Sequence, residues 1–171
     1  MMSESQIIQH LKDRNPLPAL CPKEGWDAEI TKEINDLKEQ ESRSQLANQA
    51  VKSGLLLWND ELDLSHNISQ RMSNQLGSYW HGIMHRREGD FGNAKHWFRQ
   101  AGNQSIYPYL YEQASEFSKD VKSWGKWDPS RFIDAVDHVV TNGLESTTEA
   151  ETLRRIQVLE ISLLVDYSAK A

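Results

Sequence analysis

Along most of this chain apolar residues recur at spacings of three and four, the period of a helix buried on one side. Gln45 to Trp58 carries such a stripe through Ala47, Ala50, Val51, Gly54, Leu55 and Trp58. Asp27 to Gln40 repeats it with Ile30, Ile34 and Leu37, and Asp60 to Met72 with Leu62, Ser65, Ile68 and Met72. Gln75 to Glu88 follows with Leu76, Tyr79, Trp80, Ile83 and Met84. Gly89 breaks that helix, and Asp90 caps a further one whose stripe is Phe91, Ala94, Trp97, Phe98 and Ala101. Gly102 to Pro108 reads as a loop.

Downstream, Leu110, Ala114, Phe117, Val121 and Trp124 predict one helix ending at Gly125. Asp128-Pro129 is a start signal, a capping carboxylate followed by proline at the first helical position. Phe132, Ile133, Val136, Val139 and Val140 face inward until Asn142-Gly143. Thr148 and Glu151 are placed to form a capping box for a last helix through Leu153, Ile156, Leu159, Leu163, Leu164 and Tyr167. No stretch alternates as a strand would. The pattern predicts an all-α chain of stacked antiparallel hairpins with seven to eight helices.

The N-terminal segment differs. A short helix is expected through Ile7, Ile8 and Leu11, followed by an arm, Asn15 to Gly25, with Pro16, Pro18 and Pro22. Trp26 is expected to anchor this arm. The predicted organisation is therefore residues 1–26 as helix and proline-rich arm, and 27–171 as one helical domain.

A hairpin-length repeat lies at the centre. Gly54-Leu55-Leu56-Leu57 aligns with Gly82-Ile83-Met84-His85 and Asp60 with Glu88; after one extra residue at Gly89, Glu61-Leu62 aligns with Asp90-Phe91. In the second hairpin Gly82, Gly89-Asp90-Phe91, Ala94, Phe98 and Ala101 fall at tetratricopeptide-repeat spacing, although Ser78, His81 and His85 occupy the motif's Trp, Leu and Tyr positions. The string from Tyr79 to Arg99, of the form WHxIxHRRExDxxNAKxWFR, is more specific. With Trp127-Asp128-Pro129, Phe132, Leu153-Arg154 and Ile156-Gln157, it resembles a bacterial and fungal family of helical proteins with no established activity. The resemblance runs from about Leu55 to Tyr167. It implies a fold and no chemistry.

Composition narrows the classes further. The 171 residues carry a net charge of −6, which argues against general nucleic-acid binding. Charge is uneven: seven acids face three lysines between Lys23 and Glu41, whereas Arg86, Arg87, Lys95 and Arg99 outnumber Glu88 and Asp90 between Trp80 and Gln100. The longest apolar run, Leu55 to Trp58, is far too short for a membrane span, and no secretory signal is visible. With Cys21 the only cysteine, a reducing, cytoplasmic location is expected. Glycine-rich phosphate loops and nucleophile-elbow motifs are absent.

Two groups could carry chemistry. His81, His85 and Glu88 share one helix face at i, i+4 and i+7, with His66 at the equivalent place on the preceding helix. Two imidazoles and a carboxylate on adjacent turns are a potential divalent transition-metal site. The blander reading is a set of histidines hydrogen-bonded across a helix interface. Arg86, Arg87 and Arg99 invite a phosphate or carboxylate, against ordinary pairing with nearby acids. The leading expectation is a binding or scaffold protein with a basic, His-rich centre. Its partner is a protein or a small anionic ligand, and it needs no cofactor. The competitor is a small metal-dependent enzyme using the His/His/Glu cluster.

Overall fold

A computed structural model describes every residue from Met1 to Ala171. It contains ten helices and no strand. They are α1 (Glu4–Lys12), α2 (Ala28–Asp36), α3 (Gln45–Trp58), α4 (Leu62–Ser69), α5 (Gln75–Glu88), α6 (Phe91–Ala101), α7 (Tyr107–Ser115), α8 (Lys119–Ser123), α9 (Pro129–Thr141) and α10 (Thr148–Ser168). The all-α hairpin architecture stands, with more helices than the stripes suggested. The excess comes partly from a break within the stretch read as one helix: Phe117 leaves the helix and Ser118 caps α8 by accepting from the Val121 amide. Pro108, expected in a loop, lies in the first turn of α7. The cap of α10 is Thr147, one residue before the expected Thr148. No helix is long and apolar enough to cross a membrane.

The hairpins α3–α4 and α5–α6 stack side by side, α5 resting on both α3 and α4. Helix α10 closes the bundle by packing on α3, α7 and α9, and α9 covers α6. At their turns the two hairpins correspond at an offset of 29 residues. In the first turn-over, Asp60 and Glu61 amides bond to the Leu57 and Leu56 carbonyls; in the second, Gly89 and Asp90 amides bond to Arg86 and His85. Each pair closes a left-handed helix end. Asp60, at φ 64°, therefore stands where Gly89, at φ 85°, stands in the next hairpin. Close approach inside the second hairpin depends on Gly82, where a β-carbon would lie 2.8 Å from the Phe98 ring.

The N-terminal segment packs into the body. Ile7, Leu11 and Leu20 are buried in the same core as Leu57, Trp58 and Trp80. Arg14 reaches from the segment into the body, donating to the Trp58 carbonyl at 2.7 Å and pairing with Asp60 at 2.8 Å. Trp26 lies under the Arg14 guanidinium at 4.1 Å, and its amide bonds to the Asn59 carbonyl. The boundary expected at residue 26 thus has no counterpart in the packing. A proline-rich stretch reads as an arm regardless of what its few apolar residues cover.

Candidate functional site

Helix α5 is buried around nearly its whole circumference. Its polar residues therefore meet other elements instead of water, and they divide into two sets.

The first set is the imidazole cluster. His81 and His85 sit one turn apart, their rings stacked with centroids 4.7 Å apart. His66 arrives from α4, bringing its Nε2 to 3.0 Å from the His81 Nε2. Ligand atoms of His66, His81 and His85 all lie within 4.8 Å of one another. Trp97 of α6 lies flat against His81, centroid to centroid 3.9 Å at 15°, and walls the cluster on that side. His85 Nδ1 bonds to the Glu88 carboxylate, and His85 Nε2 lies 3.3 Å from the Asn93 side-chain nitrogen. A carboxylate can only accept, so His85 Nδ1 donates to Glu88, and the Asn93 amide nitrogen, a donor, faces Nε2. Glu88 thus orients His85 from behind and does not point into the cluster. Asp90 is also near His85 and Glu88, but its carboxylate caps α6 through the Asn93 amide at 3.2 Å.

Burial is the main force on these rings. It pulls the His81 pKa down to about 4, with His85 and His66 adding in the same direction. Burial and His85 also lower His66, outweighing Glu88 and Asp63. At neutral pH both rings are uncharged, the form that donates a nitrogen lone pair to a metal.

The second set is the arginines, which the structure does not bring together. Arg86 is buried and pairs with Glu160 at 2.7 Å, an acid that also accepts from the Tyr79 hydroxyl at 2.7 Å. Arg87 is buried on another side, paired with Asp60 at 2.7 Å and donating to the Leu57 and Ala19 carbonyls. Asp60 therefore serves Arg87 and Arg14 together. Both guanidiniums of α5 are consumed by the core. Arg99 alone lies at the surface, with no acid within ion-pair distance.

Sequence reasoning grouped the four cluster residues but missed Trp97 and Asn93 as its wall, having placed Trp97 in the core stripe. Their i, i+4 spacing on the helix facing His81 and His85 was the available signal. Glu160 was also legible, since it lies one turn from Ile156 and one from Leu164 on the buried face of α10.

No protein-family model, curated protein or solved structure matches the chain. The site is therefore read from its own geometry.

Proposed function

We propose that this protein is a helical binding module whose central ligand is a divalent transition-metal ion. His66, His81 and His85 are its ligands, and Glu88 is the outer carboxylate that fixes His85. One observation carries the reading: three imidazoles from two helices bring ligand nitrogens within 4.8 Å of one another, the His66 and His81 nitrogens being 3.0 Å apart. Tetrahedral zinc with nitrogen ligands at about 2.0–2.1 Å separates those nitrogens by about 3.3 Å, so modest ring rotations suffice. Three histidines, with a carboxylate holding the far nitrogen of one, form a donor set suited to zinc and its neighbours. Without an ion, one neutral ring donates its N–H to the other across the 3.0 Å between His66 and His81, and a bound metal would take the place of that proton.

The test is zinc binding by chelator-stripped protein. One equivalent is expected to bind and to raise the melting temperature, with both effects lost in His81→Ala and His85→Ala. Binding that persists unchanged in both variants, or no binding at micromolar zinc, would overturn the reading.

A further inference from the structure

On the metal reading above, the chain supplies three ligands, and tetrahedral zinc takes a fourth. No further histidine, cysteine or carboxylate has its ligand atom within 4.8 Å of all three imidazoles. The donors nearby are committed elsewhere. Glu88 accepts from His85 Nδ1, and Asp90 caps α6 through the Asn93 amide at 3.2 Å. Cys21 donates its thiol to the Arg86 carbonyl at 3.4 Å. Asn93 turns its amide nitrogen to His85 at 3.3 Å, and an amide nitrogen has no lone pair to give. The Trp97 ring, stacked on His81, offers no acceptor atom either.

Burial is uneven around the cluster. His81 and His85 are buried, whereas His66, Asn93 and Trp97 are only half-buried and Glu88 is exposed. The cluster therefore lies just under the surface where α4, α5 and α6 meet, within reach of solvent on its His66 edge. Imidazoles bind as neutral donors, so the ion keeps its double positive charge, which a shell of thiolates would cancel. Such an ion draws its fourth ligand from solvent.

We infer that the ion held by His66, His81 and His85 keeps one exchangeable coordination position, which takes water or a small monodentate anion. The centre is then of the reactive type, able to polarise what it binds, and not a closed structural pin between α4 and α5.

Cobalt(II), whose visible absorption bands report its coordination, replaces zinc in the test. The stripped full chain is loaded with one equivalent of cobalt and titrated with azide, and its metal content is measured after dialysis. The bands are expected to shift saturably at millimolar azide, one azide per cobalt, with the cobalt retained. Asp63, one turn before His66 on α4, is exposed and outside the imidazole group, so Asp63→Asn is expected to respond as the wild type does. Bands that azide does not move while cobalt stays bound would overturn the inference and leave the metal reading standing. A response confined to Asp63→Asn would make that carboxylate the fourth ligand and overturn it as well, as would loss of the cobalt to azide. Cobalt that fails to bind, or binds equally in His81→Ala, would overturn the metal reading and this inference with it.

Discussion

At Asp60 two demands on one residue conflict. Its φ of 64° lies in the left-handed region, which costs a side-chain-bearing residue about 1 kcal/mol, and glycine fills the same place in the next hairpin. Its carboxylate, however, is the only acid within reach of buried Arg14 and Arg87. Removing one partner of a buried charge set typically costs about 3–5 kcal/mol, which outweighs the backbone gain. Asp60→Gly and Asp60→Asn are therefore both expected to destabilise by about that amount in urea unfolding. A more stable Asp60→Gly would mean the ion pairs contribute little. The imidazoles set a second residue-scale effect. In metal-free protein the folded His81 titrates at about 4 and an unfolded histidine near 6.5. Below about pH 6.5 the unfolded chain binds the extra proton, so stability is full above that pH and falls with acidification, levelling off below about 4. The loss expected between pH 7 and pH 5 is about 2 kcal/mol. Urea midpoints at the two pH values, compared between wild type and His81→Gln, measure it; an equal loss in the variant would remove His81 as the cause. Residue types at the cluster were legible because helical spacing fixes which side chains share a face. Asp60 as the partner of Arg87 was not, since the two are 27 positions apart and meet only through the hairpin stack.

At the scale of elements, the second hairpin rests on a close approach. A β-carbon at Gly82 would meet the Phe98 ring at 2.8 and 2.9 Å. Gly82→Ala is expected to destabilise by about 1–3 kcal/mol, although alanine is the better helix former. Chemical unfolding checks this, and a neutral result would show that the Phe98 ring moves freely. Helices α3, α5, α6, α9 and α10 were readable because their stripes are long and end in recognisable caps. The α7–α8 break was hidden: Leu110, Ala114, Phe117, Val121 and Trp124 keep helical spacing across it, and only the short Ser118 cap marks it. The repeat was visible but misregistered around Gly89, because Asp60 does not look like the glycine whose conformation it shares.

For the whole molecule, the N-terminal segment and the metal reading make opposite kinds of connection. Ile7, Leu11, Leu20 and Arg14 join residues far apart in sequence into one core, so removal of residues 1–25 exposes apolar surface and leaves Asp60 short of a cation. That truncation is expected to lose cooperative unfolding or to melt well below the full chain; an unchanged melting curve would restore a separable arm. The imidazole cluster instead ties α4 to α5 locally, with α6 as its wall. The direct test of that centre is X-ray absorption at the zinc edge on stripped protein reloaded with one equivalent. The account predicts a first shell with three histidine nitrogens at about 2.0–2.1 Å, reduced in His85→Ala. A shell of oxygens alone, or one identical in wild type and His85→Ala, would contradict it.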